Sequence, residues 1–404
     1  MSKNVCFLVS EHPFLDARIF KKEAKSLLKN GYNITMIVPR KNGFLFDIDG
    51  SPFKDKFTFK TFMHEGIKII TYEQVYLEKQ LKSLHYTIQS KGTHRFTDPL
   101  TKLGIAQEAD IYHCHEFFSL YSGIGIKRTL AAKGKSSKII YDSHELYPDP
   151  LAVQSSKTKE ATQKMLKNML QETDYIITVS ESIKSWFHSI GTPPPIEVLY
   201  NSPPLAPEYI PNQANNTGLV LAFEGILNKK RGSFPKLINI AEVCNKTIDL
   251  KIKIIGGGKH TDNDVTFKIP EHLKSKVEYT GWVNFASIPD VMKDVDLGWI
   301  DMNPVHSLNN RFAMPNKFFS YLNNGVPVLV NQCTDMEKFI EMHNCGFVIK
   351  KFQATATDYA DALISLHSNR NKIRAASSNA RSVMESQYSW EHMEKKLFGI
   401  YEQL

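Results

Sequence analysis

Strand-length apolar runs alternate with helix-length amphipathic segments from one end of this chain to the other, and that rhythm restricts it to parallel α/β layers. "NVCFLVS" (Asn4–Ser10) reads as a buried strand. The segment after it carries Phe20, Ala24, Leu27 and Leu28 at helical spacing, ends "KNG" and leads into "NITMIVP", which completes a βαβ unit. "DIYHC", "KIIYD" and "YIITVS" are further buried strands, each with polar or ionisable residues just past its C-terminal end. Open α/β sheets bind ligands at that edge. The stretch "KNGFLFDIDGSPFKDKFTFKTF" fits an excursion from the sheet, a β-hairpin rather than a core strand.

Prolines and asparagines cluster ahead of "LVLAFEG", where the rhythm restarts, so a linker is expected over residues 203–217. A chain of 404 residues is long for one core and comfortable for two. The division reads as an N-terminal domain over 1–205 and a C-terminal domain over 206–387. In the second half, strands Leu219–Glu224, Leu250–Ile255, Val277–Thr280 and Leu297–Ile300 are expected, with helices between them. The terminal "YSWEHMEKKLFGIYEQL" is one amphipathic helix with Trp390, Met393, Leu397 and Tyr401 on a shared face.

The five cysteines are odd in number and never in CxxC spacing, which argues for a reducing cytosol and against a disulfide framework or structural zinc. No run is long enough to span a membrane, and the apolar stretch in "MSKNVCFLVSEHP" is too short for a secretory signal. A formal charge of +8 favours acidic partners such as nucleotides or anionic lipid, and a lysine-rich solvated surface accounts for it equally well. With no RNP sequence and no long basic tract, nucleic acid is not expected as a partner.

Within "NRFAMPNKFFSYLNNGVPVLVN", Pro315 suits a first helical turn, Phe318, Tyr321 and Leu322 form an apolar face, and Gly325 suits a left-handed cap before a buried strand. Asn316 and Lys317 therefore stand at a positive helix start, beside Arg311. "FEGILNKKRGSFPKL" offers the same chemistry: a Gly225 turn, then Lys229, Lys230 and Arg231 before Gly232 and a helix start. Phosphate needs backbone N–H donors, a helix dipole and a fixed cation, and two such helix starts can converge on one diphosphate. "IIGGGKH" lacks P-loop and GxGxxG spacing and reads as a tight loop. Alternation sends His113 and His115 of "HCHE" to one side of their strand, and His144 follows in "YDSHELYPD". They read as cleft residues that hydrogen-bond a substrate, one of them acting in proton transfer; satisfied core or rim histidines are the other reading, and a metal site is conceivable although nothing in the spacing requires it. "DVD" (Asp294–Asp296) precedes its strand and reads as a helix-ending turn.

In order and spacing, "DARIFKKEAKSLLKNGYNITMIVP", "DIYHCHE", "YDSHELYP", "TDYIITVSESI", "VLYNSPP", the Arg231–Gly232 pair, "PNKFFSYLNNGVPV" and "YSWE…IY" together resemble the GT-B fold glycosyltransferases, specifically the retaining family 4. The resemblance implies two Rossmann-like domains facing across a cleft. The C-terminal one would hold a nucleoside-diphosphate sugar and the N-terminal one an acceptor, with helix 388–404 packing back on the first domain. It places Lys230, Arg231 and Lys317 against the donor diphosphate, with Asn316 and Gly225 shaping its bed, and His115 near the donor sugar as the catalytic residue. Asp16, Arg18, His144 and Glu145 would lie on the acceptor side. Two departures stand out. The family's E-x7-E carboxylates would fall at 312 and 320, where this chain has Phe312 and Ser320, and Ser320 is left to meet the ribose with a hydroxyl. Ile226 stands where many members carry an arginine.

The function so implied is a cytoplasmic, metal-independent transferase without cofactor. It would move a sugar from a UDP-linked donor to a glycan or lipid-linked acceptor, in bacterial surface polysaccharide or glycoconjugate biosynthesis. An acceptor at the inner membrane face would suit the lysines of "RIFKKEAKSLLKN" and peripheral membrane association. Two other readings stay open: a degenerate GT-B-like protein that binds nucleotide or glycan or steadies a partner, and an epimerase of UDP-linked N-acetylhexosamine.

Overall fold

Each half of the chain builds its own sheet. The computed structural model describes residues 2–207, 209, 218–227, 233–257, 269–284 and 287–404. They fall into two units, residues 1–199 with 394–404, and residues 200–393. Most of the expected linker, together with Lys229, Lys230, Arg231 and Gly232, lies outside the described residues.

In the first unit the strands are β1 (Asn4–Val9), β2 (Asn33–Arg40), β3 (Thr61–His64), β4 (Ile67–Glu73), β5 (Ile111–His115), β6 (Lys138–Ser143), β7 (Tyr175–Thr178) and β8 (Ile196–Val198). Their order is β3-β4-β2-β1-β5-β6-β7-β8, parallel throughout except for β3 against β4. Because helices cover both faces, β1 is buried along its apolar length, and each large side chain such as Phe7 contributes roughly 1.5–3 kcal/mol by leaving water. Helix Phe117–Ala132 packs so closely that a Cβ on Gly123 would lie 2.4 Å from the Cys114 sulfur. From β1 the chain goes first to β2 on one side and later to β5 on the other. The β1/β5 boundary is therefore where connections diverge and leave a crevice at the strand ends.

Two local expectations change. Most of 41–62 forms no strand. It makes only the isolated bridges Lys41–Phe44 and Phe46–Pro52, and the hairpin is β3–β4, turning at Glu65 and Gly66. The presumed basic face of "RIFKKEAKSLLKN" is also reduced. Residues Ile19–Ala24 form a π-helical run that leads into α-helix Lys25–Lys29, and its wider turn carries Lys22 and Glu23 inward, beside a buried Arg18.

The second unit contains β9 (Leu219–Ile226), β10 (Leu250–Gly257), β11 (Val277–Gly281), β12 (Leu297–Ile300), β13 (Val328–Asn331) and β14 (Gly346–Ile349), all parallel, in the order β11-β10-β9-β12-β13-β14. Here the connections diverge at β9/β12. Helix Asn316–Asn323 begins one residue after Pro315 and has no side-chain cap, and Gly325 takes the left-handed conformation at its end (φ 63°). Helix Trp390–Glu402 leaves this unit, and residues 394–404 belong to the first, where Leu397, Ile400 and Tyr401 are buried. All five cysteines are free and buried. Among the described residues no helix is long and apolar enough to cross a membrane.

Candidate active site

The crevice beside β1 and β5 collects ionisable groups from three neighbouring strand ends and from the π-helical run. Arg18 is 1% exposed; its guanidinium donates to Asp142 Oδ1 at 3.0 Å and Oδ2 at 3.1 Å, and to the Leu199 carbonyl at 2.9 Å. Its Nε also lies 2.8 Å from Glu23 Oε1, off the axis of the N–H, so Glu23 is near the charge without a directed bond from it. His113 and His115 share one face of β5 as alternation requires, with ring centroids 4.4 Å apart. Tyr401 closes the far side, its hydroxyl 2.8 Å from His113 Nδ1.

Nearer to solvent sits a second layer. His115 Nδ1 is 3.1 Å from His144 Nε2, which is also 3.3 Å from Asp142 Oδ2. The other ring nitrogen of His144 faces Glu116 Oε1 at 3.9 Å, and His12 reaches the same oxygen at 3.7 Å. His12 turns its second nitrogen to Asp16 at 3.7 Å. Glu116 reaches this position because the chain bends sharply there: its φ is 75°, where a non-glycine residue is strained, and its N–H bonds the Asp142 carbonyl. Side-chain exposures of 26% for His12, 13% for His144 and 12% for Glu116 leave this layer open to a ligand.

Burial and mutual charge shift the groups of the buried layer in opposite directions. Burial alone would push the Asp142 carboxyl up, but Arg18, then His144, hold it well below the usual carboxylate range. Burial and the Asp142 charge push Glu23 well above that range, which favours its protonated form beside Asp142. Burial likewise lowers His113, and lowers His115 further with the charge of His113 adding to it. The Arg18 guanidinium is thus paired with the Asp142 carboxylate, and Lys22 beside them is lowered to about 7 by burial and the Arg18 charge. His12 goes the other way: against burial, Asp16 and Glu116 raise it to about 10.

In the second unit the site-forming residues lie at the ends of β9 and β10. Gly225 and Gly256 are register partners, each at φ 117°, and a Cβ on Gly256 would lie 2.4 Å from the Gly225 carbonyl oxygen. Beside this cradle stands Lys317, its ammonium 4.0 Å from the Phe223 ring centroid and 3.6 Å from where a Gly225 Cβ would be. One turn further along the same helix, the Ser320 hydroxyl bonds the Glu224 carboxylate. Asn316 accepts from Asn201 at 2.6 Å. A glycine-lined strand end, a lysine and an uncapped helix start can hold a phosphate group.

The expected residues therefore divide. Gly225, Lys317 and Ser320 come together in the second unit, with Asn316 at the same helix start. Lys230 and Arg231 lie outside the described residues. In the first unit, Asp16, Arg18, His115 and His144 belong to one cluster, in which Arg18 and His115 are buried and His144 is partly exposed. Asp16 also accepts from the backbone N–H of Arg18 and Ile19, which anchors the π-helical run. Glu145 is exposed next to His144. His12, Glu23, Glu116, Asp142 and Glu224 were not singled out from sequence. A search for ionisable residues at every strand end flanking a connection reversal would have flagged His12, Glu116 and Glu224, but neither Glu23 nor Asp142.

The family model for Glycosyltransferase Family 4 matches residues 17–203, and that for the Glucosyltransferase 3-like C-terminal domain matches residues 244–373. No curated protein is similar enough in sequence to match. Sucrose-phosphate synthase of Thermosynechococcus elongatus shares the fold at TM-score 0.71 and 13% identity, over 100% of this chain and 99% of that one. Anabaena HepE, solved with UDP, aligns at TM-score 0.67 and 13% identity over 99% and 100%, and it has also been solved with UDP-glucose. The lipopolysaccharide outer core galactosyltransferase WaaB aligns at TM-score 0.58 and 14% identity over 99% and 100%. With a glycosyltransferase model matching part of each half and the same architecture from end to end, the chain has the GT-B fold and is similar to the glycosyltransferases that share it.

Proposed function

We propose that the protein transfers a sugar from a nucleoside-diphosphate sugar, UDP-linked as in the HepE complex, to a glycan or lipid-linked acceptor. The observation that carries the reading is the Lys317 ammonium beside the Gly225–Gly256 cradle at an uncapped helix start. Departure of a nucleoside diphosphate builds negative charge on its β-phosphate, and a fixed cation there favours the transition state over the ground state. Retention at the anomeric carbon follows the family resemblance, and a surface-polysaccharide role is supported by the likeness to WaaB. The donor reading invokes no metal and no further cofactor.

In the first unit, His144 is the group that meets the acceptor. It is partly exposed, and its Nε2 lies against His115 Nδ1 and Asp142 Oδ2, which fix the ring. Arg18 and His115 act from behind it as positioning residues.

A thermal-shift screen of UDP-, GDP- and ADP-sugars tests the donor. A ligand at a hundred times its dissociation constant stabilises by about 2.7 kcal/mol, worth several degrees. A UDP-sugar is expected to raise the melting temperature, and proton NMR of the product's anomeric signal then reads the stereochemistry. If no nucleoside diphosphate or its sugar shifts melting at millimolar concentration, the reading is wrong.

A further inference from the structure

A carboxylate is out of place in a site built for phosphate, yet Glu224 stands one residue ahead of Gly225, within electrostatic range of Lys317. Strand alternation puts Glu224 on the same face as Ala222, which packs with Phe318, Tyr321 and Leu322 of helix Asn316–Asn323. Its backbone N–H donates to the Tyr321 hydroxyl at 2.7 Å, and that hydroxyl donates onward to the Ala222 carbonyl, so the strand end is pinned to the helix. The side chain bonds the Ser320 hydroxyl, while Oε2 is buried without a hydrogen-bond partner among the described residues. Burial, opposed by Ser320 and Lys317, raises the carboxyl to about 7.

We infer that Glu224 reads the ribose hydroxyls of the donor nucleotide, supplying from the strand the carboxylate that Ser320 lacks on the facing helix. This rests on the donor reading above. The chemistry follows from what a nucleoside diphosphate presents: phosphates for Lys317 and the glycine cradle, and close by a cis-diol whose two O–H groups are donors. A carboxylate offers two acceptor oxygens at diol spacing, and the unmet Oε2 is the kind of acceptor that a ligand hydroxyl satisfies. A phosphate brought to the same point would be repelled, so Glu224 divides the site into an anionic end and a hydroxyl end. Specificity of this kind is strong, because a site built to bond a hydroxyl leaves its own buried group unpaired when the hydroxyl is missing.

The test is calorimetry on the full chain with UDP, 2′-deoxy-UDP and inorganic pyrophosphate, using wild type, Glu224→Gln and the double variant Glu224→Gln/Ser320→Glu, all checked for unchanged melting curves. Wild type is expected to bind UDP about tenfold or more tighter than 2′-deoxy-UDP, the worth of a charged hydrogen bond. Glu224→Gln should lose that preference while pyrophosphate binding is unchanged, and returning the carboxylate from position 320 should restore it. An undiminished preference for UDP in Glu224→Gln overturns the assignment while leaving the donor reading standing. If wild type binds neither UDP nor pyrophosphate, the donor reading itself fails and this assignment falls with it.

Discussion

Replacing Arg18 by methionine removes the guanidinium that bonds Asp142 directly, and the structure sets the size of the effect. The side chain is 1% exposed, makes two short bonds to Asp142 and one to the Leu199 carbonyl, and lies against Glu23. Removing one partner of such a buried pair costs roughly 3–5 kcal/mol, because the remaining charge is left unpaired. The orphaned Leu199 carbonyl adds about 1 kcal/mol, and proton uptake by Asp142 recovers part of the total. For a unit of this size, a loss of about 4 kcal/mol lowers melting by roughly 8–16 °C.

Arg18 and its partners all lie in the first unit, so the assay should be local. Hydrogen exchange followed by mass spectrometry, read over residues 4–9, 111–115 and 138–143, reports the first unit alone. Arg18→Met should speed exchange there and leave 250–257 unchanged. In a double-mutant cycle with Asp142→Asn, the two losses should fall short of adding by at least about 1 kcal/mol. A loss below about 1 kcal/mol, or strict additivity, would refute the neutralised-pair account.

Three other substitutions probe separate claims. Lys317→Ala is expected to weaken UDP binding about tenfold or more, and an unchanged dissociation constant would remove Lys317 from the diphosphate site. Because Glu23 has a raised folded-state value, its contribution to stability is present at low pH and is lost as pH rises above the ordinary glutamate value. Glu23→Gln should therefore gain in melting temperature relative to wild type between pH 4.5 and 7, and a difference that stays flat contradicts a neutral Glu23. Gly256→Ala meets the Gly225 carbonyl at 2.4 Å from a φ of 117°, so the second unit should lose more than about 2 kcal/mol in urea unfolding.

The architecture was legible because period-two and helical patterns are local, and the strands at Asn4–Val9, Leu250–Gly257 and Val328–Asn331 came out close to where they were read. The pairing of His113 with His115 on one face was legible for the same reason. The salt-bridge network was not. Arg18 and Asp142 are 124 positions apart, and nothing in either neighbourhood marks the other. The helix after β1 was legible in part: Phe20, Ala24 and Leu27 are buried as their spacing implies, while the π-helical run Ile19–Ala24 turns Lys22 and Glu23 inward as well. Ser320 was seen as a missing carboxylate, and only the fold shows Glu224 occupying the facing position.

Tyr401 hydrogen-bonds His113, although residues 200–393, which form the other unit, lie between them in sequence. During translation at about 5–20 residues per second, the phenol emerges on the order of 10–40 seconds after Leu199. For that interval the nascent first unit carries a histidine core with one wall missing, held meanwhile by Arg18, Asp142 and the Phe7 ring. Chaperones and proteases would meet this half-closed form each time the polypeptide is made.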